Sequence, residues 1–206
     1  MAAKLYFKYG AMDSSKSLNL LATAHNYESQ GKKVLLLKPN LDTRSKNGRI
    51  ESRAGLSKPC IDIDKDTNLI TLFRVLNRTI NDPYHCILID ESQFLTKIQV
   101  KQLARIVDTY DIPAIAFGLK NSYIDSELFE GSQALLYYAN KIEEIKTVCA
   151  CEGCNSKATM NLRIVDGEPA YSGEIINCGD TKPDNDYYIP VCRKHYYNPV
   201  GIYNLK

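Results

Sequence analysis

The sequence predicts an α/β fold, a parallel sheet covered by helices with a small metal-binding domain at its C-terminal end, and three observations predict it. Residues 33–39 and 86–89 are near-continuous apolar runs, the mark of strands buried on both faces between layers of helix. The N-terminal stretch passes from an aromatic-rich strand pattern through a glycine turn into a helical pattern, the opening of a strand–helix–strand unit. Cys149, Cys151, Cys154 and Cys192 crowd the last third of a chain that carries seven cysteines and no export signal, which points to reduced thiols or a metal rather than to disulfides.

In chain order, the run Leu5–Tyr9 reads as the first strand. Gly10 then opens a turn that closes at Lys16-Ser17, the frame of the Walker A pattern G-x-x-x-x-G-K-[ST] with Ser15 where the second glycine belongs. In such a turn successive backbone N–H groups, here those of Gly10, Ala11, Met12, Asp13, Ser14 and Ser15, face phosphate oxygens at the start of a helix. Lys16 would reach the β/γ-phosphates and the Ser17 hydroxyl would bind Mg²⁺. If the Ser15 position requires positive φ, its side chain costs ~1–2 kcal/mol. Leu20, Leu21, Ala24 and Tyr27 share one helical face as far as Gln30-Gly31, where glycine stops the helix. The strand at 33–39 completes the first unit. Residues 40–55 are polar and basic, with Asp42-Thr43-Arg44 and Ser52-Arg53, on the edge where α/β proteins place substrate contacts.

A helix over 67–80 presents Leu69, Leu72, Phe73 and Leu76 on one side. The apolar strand that follows ends in Asp90-Glu91, a Walker B signature in which Asp90 holds the Mg²⁺ shell and Glu91 is free to accept the proton of an attacking hydroxyl. A helix over 97–109, a strand over 112–118, a polar stretch over 119–131, a helix over 132–140 and a strand over 142–148 supply a five-stranded doubly wound sheet. The kinase-like nucleotide-binding domain is therefore expected to occupy residues 1–148.

Residues 149–206 differ in kind. Cys151-x₂-Cys154 and Cys192-x₂-His195 are two chelating pairs that can converge on one tetrahedral zinc ion, with Cys149 and Cys178 as the other thiols able to enter the set. Four protein ligands close the site and make the ion structural, pinning a tail too small to hold itself by apolar burial. Residues 161–165 and 187–191 read as paired hairpin strands flanking a glycine- and aspartate-rich excursion, which reads as a lid tied at its base by the metal.

With 26 basic and 24 acidic residues, the chain has no net field to draw nucleic acid or a membrane surface. No apolar run approaches the ~20 residues that cross a bilayer, so a cytoplasmic protein is expected.

Gly10-x-Met12, Lys16-Ser17, Asp42-x-Arg44, Asp90-Glu91-x-Gln93-Phe94, the Cys151/Cys154 pair and Cys192-Arg-Lys-His195 together resemble the thymidine kinases of the two-domain, zinc-bearing type found in bacteria, animals and poxviruses. The likeness runs over nearly the whole chain. It implies a P-loop domain, a small zinc domain and a homotetramer that phosphorylates the 5′-hydroxyl of thymidine or deoxyuridine from ATP-Mg²⁺ in pyrimidine deoxynucleotide salvage, inhibited by thymidine triphosphate. By the same resemblance Glu91 is the base, Arg44 steadies the transferred group, and Lys16, Ser17, Asp90 and Gln93 serve the phosphates and magnesium. Met12, Phe94, Leu119, Tyr123, Phe129 and Tyr188 would form an apolar slot for the pyrimidine, closed by lid residues Ile176 to Gly179. The chain departs from the pattern at Ser15 and at Cys178, where a lid glycine is usual, with an insertion near 181–186. Two other classes compete: a deoxynucleotide-binding regulator with a damaged phosphate turn, and a P-loop ATPase gripping nucleic acid through a zinc ribbon, which the near-neutral charge disfavours.

Overall fold

A computed structural model of the chain describes residues 2–40, 48–78, 83–173 and 186–199. In chain order the elements are β1 (Leu5–Tyr9), α1 (Lys16–Glu28), β2 (Lys33–Pro39), β3 (Arg49–Glu51), β4 (Ser57–Pro59), β5 (Ile61–Ile63), α2 (Leu69–Arg78) and β6 (Tyr84–Ile89). A single 3₁₀ turn at Ser92–Phe94 leads to α3 (Lys97–Tyr110), β7 (Ala114–Gly118), α4 (Glu130–Tyr138) and β8 (Lys141–Glu144). The chain then forms β9 (Met160–Val165), β10 (Glu168–Ala170), β11 (Asp186–Val191) and α5 (Arg193–Tyr197).

Six strands form one sheet in the order β5-β2-β6-β7-β1-β8, every pairing parallel. The strict alternation of strand side chains explains the apolar runs. Leu35 and Leu37 of β2, Ile87 and Ile89 of β6, and Ala114 and Ala116 of β7 pack under Phe73 of α2, Leu103 and Val107 of α3 and Leu135 of α4. Leu36, Cys86, Leu88, Ile115 and Phe117, one residue out of phase, meet Leu20, Leu21 and Ala24 of α1 on the other face. A strand with helices on both sides needs apolar residues at every position, whereas in β1 only Leu5 and Phe7 are buried and in the edge strand β8 no residue is.

The sheet has one strand more than expected. Ile61–Ile63 adds itself to the edge beside β2, with Leu37 paired to Ile61, after a short antiparallel hairpin of β3 and β4. Three-residue strands in a polar segment carry no period, so the sequence does not announce them. Helix α3 begins in a capping box: the Thr96 hydroxyl accepts from the Gln99 N–H at 3.2 Å while Gln99 Oε1 accepts from the Thr96 N–H at 3.0 Å. That cap fixes the exit of the acidic strand end.

The C-terminal part is a separate three-stranded antiparallel sheet, β10-β9-β11. Leu162, Ile164, Ile189 and Val191 pack with Cys149, Cys151, Cys192 and Tyr196 beneath α5. Among the described residues no helix is long and apolar enough to cross a membrane.

Candidate functional site

Parallel pairing sends the C-terminal ends of β1, β6 and β7 to one edge, so Gly10, Asp90 and Gly118 arrive together. The Gly10 N–H donates to the Gly118 carbonyl at 3.2 Å. A Cβ at Gly10 would stand 2.3 Å from Ser14 Oγ and 2.5 Å from the Ile145 carbonyl oxygen, so only glycine lets the turn leave β1 this tightly. The turn then passes through two left-handed residues, Asp13 at φ 58° and Ser15 at φ 60°. Ser15 caps α1 in that conformation without a side-chain cap bond, so the strain foreseen for a side chain here is present.

The turn and the acidic strand end meet directly. The Ser17 hydroxyl donates to Asp90 Oδ2 at 2.9 Å. Lys16 folds over the turn, its ammonium donating to the Ala11 carbonyl at 2.8 Å and to Ser14 Oγ at 3.4 Å. Burial lowers the Lys16 pKa, with the Glu91, Asp90 and Asp13 carboxylates opposing that shift. Burial raises the Asp90 carboxyl above the usual carboxylate range, the charge of Glu91 adds to the rise, and the Ser17 donor pulls against it. A buried acid raised by its neighbour, close to a half-buried cation, is suited to a divalent ion and phosphate. Arg53, from the basic stretch, pairs with the Asp13 carboxylate, so one of its arginines reaches the turn.

Glu91 stands half-buried beside Asp90 with φ 48° and ψ 39°, another non-glycine residue in the left-handed region. Its Oε2 accepts from Gln93 Nε2 at 2.6 Å, and Gln93 Oε1 accepts from the Leu119 N–H at 3.0 Å. Beyond it lie two edge-to-face aromatic pairs, Phe94 with Phe129 at 5.4 Å and Tyr123 with Tyr188 at 5.5 Å between ring centroids. Met12, Leu119 and Tyr188 are half-buried while Tyr123 and Phe129 are buried. Arg44, with Asp42, and the lid residues Ile176, Cys178 and Gly179 lie outside the described residues.

Two site-bearing residues of β9 escape a sequence reading. Asn161, 2% exposed, accepts the Met12 N–H on Oδ1 at 2.8 Å and donates from Nδ2 to the Asn121 carbonyl at 3.3 Å. In the sequence it is only a polar residue out of phase with the apolar Met160, Leu162 and Ile164. Arg163 grips Asp186 through Nε at 2.9 Å and Nη2 at 2.6 Å and donates from Nη1 to the Tyr123 hydroxyl at 3.1 Å, bracing the aromatic wall at the foot of the excursion.

Residues 3–196 match the family model described as "Thymidine kinase". The chain belongs to the thymidine kinase family. It is 50% identical over 200 residues to a thymidine kinase of Enterococcus faecalis, covering 97% of each chain. It is likewise 50% identical over 197 residues to thymidine kinases of Streptococcus pyogenes and Lactococcus lactis, covering 96% of this chain and 98% of theirs.

This member of the thymidine kinase family also carries a candidate metal centre. The ligand atoms of Cys149, Cys154, Cys192 and His195 all lie within 4.8 Å of one another, with His195 Nδ1 3.3 Å from Cys149 Sγ and 3.5 Å from Cys192 Sγ. A zinc–sulfur bond of about 2.3 Å gives tetrahedral edges of ~3.8 Å, so three thiols and one imidazole at this spacing fit zinc. The set differs at one position from the spacing-based pair: Cys149 stands where Cys151 was expected. Backbone pairing selects it. The Cys149 N–H donates to the Ser156 carbonyl at 2.9 Å and the Ala150 N–H to the Pro190 carbonyl at 2.9 Å, while Cys151 enters the turn that closes on Cys154. Cys151 is buried beside the other three thiols in the apolar cluster under α5.

Proposed function

We propose that the chain transfers the γ-phosphoryl group of ATP-Mg²⁺ to the 5′-hydroxyl of thymidine, and of deoxyuridine, giving the monophosphate for pyrimidine deoxynucleotide salvage. The observation that carries this is the 2.9 Å hydrogen bond from Ser17 to Asp90: it joins the phosphate turn to the strand end whose next residue is Glu91. The turn's N–H groups and Lys16 would hold the triphosphate, and Ser17 and Asp90 would hold magnesium, which when bound neutralises charge on the phosphoryl oxygens. Glu91 takes the proton of the sugar hydroxyl as its oxygen bonds to phosphorus and the bond to the bridging oxygen of ADP breaks. Phe94, Phe129, Tyr123 and Tyr188 offer flat apolar faces for a pyrimidine, with Leu119 and Met12 between. Arg44 and the lid residues Ile176 and Gly179 enter by the family resemblance. Zinc on the Cys/His cluster would hold the C-terminal sheet, with residues 149–206 as its domain.

The test is a panel of nucleosides with ATP-Mg²⁺ scored for monophosphate. Thymidine and deoxyuridine are expected to react, and Glu91→Gln is expected to lower kcat by about 10²–10⁴ while nucleotide binding persists. Unchanged turnover in that variant would end the assignment of the base. The left-handed Ser15 keeps one other reading open, a regulator that binds deoxynucleotides without turning them over; a Ser15→Gly variant that gains activity from nothing would favour it. A cytoplasmic homotetramer, inhibited by thymidine triphosphate, completes the proposal. Ile98 on α3 and Tyr137 on α4, 68% and 81% exposed, are apolar surface suited to such an assembly, which sedimentation would measure.

A further inference from the structure

We propose that Gln93 is a positioning residue for the reaction, its side-chain amide bridging the Glu91 carboxylate to the Leu119 backbone so that the base is held at a fixed offset from the pyrimidine slot. The proposal rests on the reading of Glu91 as base and deepens it.

Gln93 is 2% exposed, so its amide needs partners, and it has one at each end: Nε2 donates to Glu91 Oε2 at 2.6 Å and Oε1 accepts from the Leu119 N–H at 3.0 Å. The orientation of the amide follows from chemistry. A backbone N–H can only donate, so the carbonyl end must face Leu119 and the NH₂ end must face the carboxylate. Leu119 is itself held from its other side, since the Ser132 hydroxyl donates to its carbonyl at 2.5 Å. Glu91 lies in the left-handed region at φ 48°, a conformation a glutamate keeps only where its surroundings determine it. The Phe94 N–H holds its carbonyl at 3.1 Å, and the Gln93 bond holds its carboxylate.

The fold clears space for this bridge. A Cβ at Gly118 would stand 2.7 Å from Gln93 Oε1, 3.0 Å from the Gln93 nitrogen and 2.6 Å from Ser92 Oγ, so the last residue of β7 has no side chain where Gln93 crosses it. With one donor on Glu91 and its carbonyl on Leu119, Gln93 acts through both, and its second N–H stays available to the phosphates that the family resemblance assigns to it.

The experiment is a double-mutant cycle on the full-length protein, read by kcat, thymidine KM and ATP affinity. Gln93→Leu removes both bonds. Gln93→Glu keeps the acceptor for Leu119 but turns a second carboxylate on the base. Each, assayed below its thermal midpoint, is expected to lower kcat about 10- to 100-fold, the scale of a misplaced reacting group, with a smaller change in ATP affinity; the midpoint itself falls, since a buried polar group loses its partner or a second carboxylate is buried. Introduced into Glu91→Gln, neither is expected to change the residual rate more than about twofold, because groups acting as a unit are not additive. Equal losses in both backgrounds, or wild-type kcat in Gln93→Leu, would overturn the positioning role alone. Full turnover in Glu91→Gln itself would overturn the base assignment first, and the proposal with it.

Discussion

Ser15 shows how much one side chain at one angle decides. At φ 60° it occupies a region where a Cβ is strained by ~1–2 kcal/mol and glycine is not, and it gives no cap bond in exchange. Ser15→Gly is therefore expected to raise stability by about 1 kcal/mol and to tighten ATP binding up to about tenfold, measured by denaturant unfolding and by calorimetry. A modest gain marks a working enzyme. This position was legible as a fault in the phosphate-turn pattern, because local dihedral demands are written locally. The partner of Glu91 was visible only as a residue: Gln93 belongs to the motif, but nothing in its neighbours says that its amide turns back to the carboxylate and forward to Leu119, since that depends on where β7 ends.

At the scale of elements, what was legible follows burial on one or two faces. Strands β2, β6 and β7 were readable because helices on both sides force an apolar residue at each position, and α1 and α3 because their buried faces repeat at helical spacing. Strands β5 and β10 are three residues long and carry no such pattern. The pairing of β9 with β11 was anticipated, but the grip of Arg163 on Asp186 across it was not, as cross-strand partners depend on register. That grip has a pH signature. The Arg163 guanidinium holds the Asp186 carboxyl below the usual carboxylate range. A folded value below the unfolded one gives stability that is complete above the ordinary carboxylate pKa, near ~3.9, and is lost as pH falls through the lowered value. The stability gap between the wild type and Asp186→Asn, measured by urea unfolding, is expected to be open at neutral pH and to close in strong acid.

For the whole molecule, the Cys/His cluster and the phosphate turn were each legible as motifs, but their connection was not. Spacing favoured Cys151 because C-x₂-C is the compact chelating pair; the strand pairing of Val148 with Lys157 instead brings Cys149 to the cluster. Cys149→Ser is expected to lower zinc content per chain and Cys151→Ser to keep it, assayed by metal analysis of the purified proteins. The connection itself is Asn161, which spans 149 positions of sequence to accept the Met12 N–H from the central strand of the C-terminal sheet. With zinc on the Cys/His cluster as proposed, a chelator is expected to be felt at the far end of the chain, where loosening of the C-terminal sheet takes from Met12 its bond to Asn161. Nucleotide affinity measured with and without chelator would register that coupling.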